Sequence, residues 1–435
     1  MGRVGRHKEA LDCFIRAIRL RPKDANCLND CGVAYEQLQQ LNEAVESYKM
    51  AVALSPLHAQ AHINLSNVLR KIHCIGEAIA AAQQAISICG QTPEALNSLG
   101  AAYLEQADAE QACQCFIRAV ELRPGFAAAH MNLAYAMLMK GDYQQAWTHY
   151  TWLRQGAYSS FTPHHGADWV AQDLSRKSVL IRSDGGLGNV MQFARFLPMV
   201  VDLGAQVILQ CPQPLVSLMQ SVKGISSVIA RGSMLPAVDI DLPQRCLPQV
   251  LGITLENLPA QVPYLHPDPR QVSHWHQVLN RQASGVRVGV CWQGSQKLVH
   301  RRDSSFSSLD LLPLMQMPGI NLINLQVDAE PDPVLPLITL EGYRQASADL
   351  MTTAAIICNL DLIVTCDTSI AHLAGALGVR TWVALRFASE WRWMLNRQDS
   401  PWYPTIRLFR QSTPREWKPV FCAMAQELAA LSGSC

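Results

Sequence analysis

The sequence predicts an α-solenoid followed by two tandem Rossmann-like α/β blocks. Three observations predict it. Small and aromatic residues recur every 34 residues through the first third. A glycine-rich turn at 184–188 follows an apolar run that starts at Ser178. The stretch Asp361–Leu385 reads as strand, tight turn, helix and strand. The chain has 435 residues, room for two to four domains, and its 49% hydrophobic content supplies packed cores. A net charge of +1 with no long basic run argues against nucleic acid as a partner. There is no apolar leader before a small-residue cleavage site, and no stretch long enough to span a bilayer. A soluble, cytoplasmic protein that is not an integral membrane protein is expected. The 14 cysteines are scattered, and Cys113-x-Cys115 and Cys27-x3-Cys31 lack a second half for zinc. They read as reduced, small apolar residues, and no metal is expected.

The repeat is carried by four series. Ala10, Ala44, Ala78, Ala112 and Ala146 share one position. Phe14, Tyr48, Ala82, Phe116 and Tyr150 share another. Gly32, Ser66, Gly100 and Ala134 mark a crossing, and Pro22, Pro56, Gly90 and Pro124 mark a turn. Paired helices of this period, with small residues at crossings and proline at turns, resemble the tetratricopeptide repeat. Four repeats are expected from about Ala25 to Leu153. Arg6–Leu20 matches the second helix of a fifth, so either further repeats precede it or it is a divergent cap. The first helices of such arrays line a concave groove. Asp30, Asn64, Ser98 and Asn132 share one repeat position, which serves either a bound peptide backbone or packing between repeats. A polypeptide partner or acceptor is expected in the groove. The array is assigned to 1–156.

Residues 157–177 read as a linker without clear period. It contains Pro163-His164-His165-Gly166, whose adjacent histidines point in different directions and do not suggest a metal site. The first α/β block is assigned to 178–283. It comprises a strand at Ser178–Ser183, the turn Asp184-Gly185-Gly186-Leu187-Gly188, a helix over Asn189–Leu203 and a strand at Gln206–Gln210. Shorter strands follow near Ile225–Ile229 and Val238–Leu242. A dinucleotide fingerprint would need a small residue at 191 and a carboxylate at the end of the second strand. Met191 and Gln210 stand there, so nicotinamide binding is not expected.

The second block is assigned to 284–411. Its strands are Val286–Trp292, Asn321–Gln326, Asp361–Cys366 and Val379–Leu385. A helix is expected near Ser308–Met317 and another over Leu350–Leu360. A polar loop, Gln293–Ser305, carries Lys297, His300, Arg301 and Arg302. Thr368 or Ser369 can cap a helix carrying His372, and its N–H groups suit a phosphate beyond the strand ends. Two such blocks with a cleft between them suggest the GT-B architecture. A terminal helix within 412–435 is expected to pack back toward the first block, with the inter-domain hinge between about Leu265 and Val286.

The string Asp367-Thr368-Ser369-x-x-His372-Leu373-Ala374-Gly375-Ala376-Leu377-Gly378 resembles the nucleotide-sugar site of the heptosyltransferase-like glycosyltransferases, glycosyltransferase family nine. Gly186-Leu187-Gly188 with Gln192-Phe193, Trp391-Arg392-Trp393, Asp399–Pro404 and Arg407–Arg410 are similar to bacterial proteins that fuse tetratricopeptide repeats to such a domain. The resemblance implies a nucleotide-diphosphate sugar as donor, with no cofactor and no required metal. It implies that Thr368 and Ser369 receive the diphosphate, that Asp367 lies near the sugar, and that Arg302 neutralises charge on the leaving group. His372 is either a ligand contact or packing under the turn, and Gln326 is a weaker candidate for the base. Gly185, Gly186 and Gly188 bring backbone close to the substrate. Trp391, Trp393 and Trp402 read as core residues before sugar platforms.

One position departs from the family. Where it usually has Asp as general base, this chain has Asn189, and an amide does not accept the proton. Asp184 is the alternative base in the same turn, and Asn189 can instead cap the following helix. Two functions follow. One is a glycosyltransferase acting on an acceptor recruited by the repeats. The other is a protein-binding scaffold with a weakened or inactive transferase-like domain. The eukaryotic O-linked N-acetylglucosamine enzyme joins the same two parts, but the Asp367–Gly378 string is nearer to family nine.

Overall fold

The computed structural model describes residues 2–153, 173–294 and 304–432. The chain divides into two compact units, 1–161 and 162–435.

The first unit is a row of antiparallel helices: α1 (Gly2–Leu20), α2 (Ala25–Gln37), α3 (Leu41–Leu54), α4 (Ala59–Lys71), α5 (Ile75–Cys89), α6 (Pro93–Glu105), α7 (Ala109–Leu122), α8 (Ala127–Lys140) and α9 (Tyr143–Tyr150). Each packs on its sequence neighbour, and α2, α4, α6 and α8 also touch in series. The periodic residues explain the spacing. A β-carbon added at Gly32 would lie 2.5 Å from the Tyr48 ring, and one at Gly100 would lie 2.7 Å from Phe116. The backbones therefore approach because those side chains are missing. Tight turns between paired helices place Gln39, His73, Ala107 and Gly141, again 34 residues apart, in the left-handed region. Asp24, Asp108 and Asp142 cap α2, α7 and α9 by accepting a backbone N–H.

The polar row at the shared repeat position makes bonds between repeats. Asn64 Nδ2 donates to Asn29 Oδ1 at 2.9 Å, Ser98 Oγ to Asn67 Oδ1 at 3.0 Å, and Asn132 Nδ2 to Asn97 Oδ1 at 2.9 Å. Of the two roles open to this row, the structure shows packing between repeats.

The second unit holds two separate parallel sheets. The first contains β1 (Ser178–Arg182), β2 (Gln206–Cys211), β3 (Ser227–Ala230) and β4 (Ile240–Pro243), in the order β3-β2-β1-β4. The second contains β5 (Val286–Cys291), β6 (Ile320–Asn324), β7 (Leu362–Thr365), β8 (Thr381–Leu385) and β9 (Ile406–Arg410), in the order β6-β5-β7-β8-β9. Strands β7 and β8 are buried throughout, as expected for a parallel sheet covered on both faces.

Four helical expectations change. The helix expected over Asn189–Leu203 is two helices, α10 (Leu187–Ala194) and α11 (Leu197–Asp202), and Pro198 sits in the first turn of the second. The helix expected near Ser308–Met317 is a 3-10 turn, Ser308–Leu311, followed by the short helix Leu312–Met315. Helix α12 (Pro269–Gln282) falls before the expected boundary at 283, yet it packs on α13 (Leu350–Ile357). Trp275 meets Tyr343 edge-on and Asn359 Nδ2 donates to Val272 O, so α12 belongs with the second sheet. Helix α14 (Ser369–Ala376) follows β7. The terminal helix α15 (Lys418–Ser432) does not return to the first block. Its Phe421, Met424 and Leu428 join Phe306, Leu311, Leu322 and Phe409 over the second sheet, because that sheet would otherwise lack an apolar cover there. No helix among the described residues is long and apolar enough to cross a membrane.

Candidate functional site

Strand β1 leads through the glycine-rich turn into α10, and β7 leads through Cys366–Thr368 into α14. Helices α10 and α14 pack on each other. The carboxyl edges of the two sheets therefore meet at these helices. Gly188 permits the contact, since a β-carbon there would stand 2.6 Å from His372 Cδ2.

Thr368 caps α14. Its hydroxyl accepts from Ile370 N at 3.2 Å and lies 3.0 Å from Thr365 Oγ1. Asp367 and Ser369 are half-buried on either side. His372 is packed within the protein. The ring is buried, stacks on Trp393 at 5.5 Å and meets Tyr403 Oη through Nδ1 at 2.9 Å. Gln326 is buried too. Its Oε1 accepts from Gln293 N at 2.9 Å and from Cys291 Sγ, which fixes the start of the loop after β5. That carbonyl is already used within the protein. Arg302, with Lys297, His300 and Arg301, lies outside the described residues.

Asp184 does not stand open in the turn. It forms an ion pair with Arg245 Nε, and Arg245 Nη2 donates to its main-chain oxygen at 3.1 Å. Burial raises its pKa, against the pull of Arg245. Its carboxylate is thereby committed to Arg245. Asn189 does not cap α10. Gly186 is the cap residue, and Asn189 lies in the first turn, folded over Gly185. Its Oδ1 accepts from Arg392 Nη2.

Residues to which the sequence reading gave no linking role tie the two halves together. Arg392 Nε donates to Gln192 Oε1 at 2.6 Å, and Nη1 pairs with Glu390. Arg195 donates to the oxygens of Gln192, Pro259 and Trp402 and to Tyr264 Oη, and lies over the Tyr264, Trp402 and Tyr403 rings. Gln192 Nε2 and Trp393 Nε1 are buried donors without a hydrogen-bond acceptor among the described residues. The signal for this cluster was Trp391-Arg392-Trp393 and Trp402-Tyr403. The tryptophans are buried core residues, and the arginine between two of them is what joins the halves.

The Tetratricopeptide repeat family matches residues 2–59 and 97–159. Protein FlbA of Caulobacter vibrioides is 27% identical over 447 residues, which span 95% of this chain and 74% of that protein. The probable UDP-N-acetylglucosamine–peptide N-acetylglucosaminyltransferase SPINDLY of Hordeum vulgare is 29% identical over 124 residues. They span 27% of this chain and only 13% of that protein. Among solved structures, MamA from Desulfovibrio magneticus RS-1 covers 36% of this chain and 90% of its own, at 25% identity and a TM-score of 0.32. The helical first unit is built of tetratricopeptide repeats.

Proposed function

We propose that this protein is a glycosyltransferase of GT-B, heptosyltransferase-like type. It transfers a sugar from a nucleotide-diphosphate sugar to a polypeptide, or a complex containing one, held by its repeats. The observation that carries the reading is the packing of α10 on α14, which brings together the carboxyl edges of two parallel sheets. Ligands of open α/β sheets bind at such edges. The N-terminus of α14 offers backbone N–H groups to a diphosphate, with Asp367 and Ser369 beside it. Arg302 is assigned to the leaving diphosphate on sequence alone. Support from relatives is limited to the repeat region, where the SPINDLY likeness lies.

A scaffold reading is favoured by a specific observation: Asn189 carries an amide and Asp184 is paired with Arg245. One experiment separates the two. UDP-, GDP-, ADP- and dTDP-linked sugars are incubated with the full chain, with and without candidate polypeptide acceptors, and nucleoside diphosphate release is measured. Release that rises with an acceptor supports the transferase. Binding without release supports the scaffold.

A further inference from the structure

Resting on the transferase reading, we infer that Glu390, which comes from the second sheet's side of the cleft, is the general base for the acceptor hydroxyl. The position on α10 at which the base was expected carries an amide. Asp184, in the same turn, is paired with an arginine, as Glu390 is, but its side chain is only 12% exposed. Glu390 lies after β8, and its side chain is 26% exposed. Its Oε2 and Asn189 Oδ1 sit on the two terminal nitrogens of one guanidinium, that of Arg392. This places a carboxylate one guanidinium width from the amide at 189.

Arg392 is buried and also donates to Gln192 Oε1. Arg392 fixes the direction of Glu390 and so acts as a positioning residue.

In the step itself, the acceptor oxygen forms a bond to the anomeric carbon of the donor sugar. The bond from that carbon to the phosphate oxygen breaks, and its electron pair leaves with the nucleoside diphosphate. The hydroxyl proton passes to Glu390, which then returns it to water. No other reactant is needed.

The test uses the full chain and the same four classes of nucleotide sugar, with nucleoside diphosphate release as readout. Glu390→Gln is expected to lower kcat by about 10²–10⁴-fold, with donor KM changed by less than about threefold. Glu390→Asp should keep part of the rate, and the acidic limb of the wild-type kcat profile should vanish in Glu390→Gln. Thermal stabilisation by the free nucleoside diphosphate should survive in Glu390→Gln, which shows that the variant is folded. The double variant Asn189→Asp/Glu390→Gln should regain rate, because it returns a carboxylate to the other side of Arg392. A Glu390→Gln rate within about threefold of an active wild type overturns the assignment and leaves the transferase reading standing. Absence of release by the wild type with every donor and acceptor overturns both.

Discussion

The two units are stabilised over different distances in the chain. In the repeats, side chains meet neighbours about one repeat away, as Asn64 meets Asn29 and Asn132 meets Asn97 at a separation of 35 residues. In the α/β unit, the bonds that join its halves span far more sequence. Arg392 reaches Gln192 across 200 residues, and Arg195 reaches Trp402 across 207. The repeats behave as a sum of similar local interfaces. The α/β unit depends on a few buried cations whose partners are fixed only once both sheets have formed. The contact between its halves is therefore vulnerable to single substitutions.

The largest effect expected from this difference is at Arg195. Arg195→Met removes a buried guanidinium and leaves the oxygens of Pro259 and Trp402 and the hydroxyl of Tyr264 without their donor. A loss of about 3 kcal/mol or more is expected in the α/β unit. Hydrogen exchange should show faster opening of α10 and α14 and unchanged protection in α2–α7. Equal loss in both units would break the comparison.

A repeat-side counterpart is Gly100→Val. The new β-carbon falls on the Phe116 ring, so overpacking of about 1–3 kcal/mol is expected in the repeats alone, read in the same exchange experiment.

The repeats also carry a pH dependence. Burial, and secondly the neighbouring His130, lower the pKa of His149 from 6.5 to about 4. The unfolded chain then binds the proton more readily than the folded one. The stability contributed by neutral His149 is fully present above pH 6.5 and is lost as pH falls through about 4. Melts of α8 and α9 followed by exchange should weaken over that window, and His149→Gln should flatten the slope.

The smallest effect is at Ala107, which holds a φ of 62° where the equivalent residue in the next repeat is Gly141. Ala107→Gly should raise stability by about 0.5 kcal/mol, the left-handed strain relieved less the added chain entropy. A decrease would mean that the turn is not strained.

The same contrast explains what could be read from the chain. The 34-residue series made the helical repeats legible because each periodic residue reports a contact nearby in sequence. The first eight strands and the Thr368 cap were legible from apolar runs and turn residues, whereas β9, Ile406–Arg410, was not read as a strand. Helix α15 was misplaced because its apolar stripe fits any uncovered sheet face, and only the assembled structure shows that Phe421 meets Phe306. Helix α12 was assigned to the wrong side for the same reason. At the candidate site, the Thr368 cap with Asp367 and Ser369 beside it was legible from local pattern. The commitment of Asp184 to Arg245, and the sharing of Arg392 by Asn189 and Glu390, could not, because those partners lie 61 to 203 residues apart or depend on the fold of one turn.

The central claim is that the α/β unit holds a nucleotide-diphosphate sugar at the N-terminus of α14. The most direct test is a thermal-shift titration of the full chain with UDP-, GDP-, ADP- and dTDP-sugars, repeated with Asp367→Ala. A ligand that binds only the folded state at a hundred times its Kd adds about 2.7 kcal/mol. The account predicts that at least one of these sugars raises the Tm of the α/β unit, and that Asp367→Ala, while still folded, loses most of the shift. No shift with any of them, or a shift that Asp367→Ala leaves intact, would contradict it.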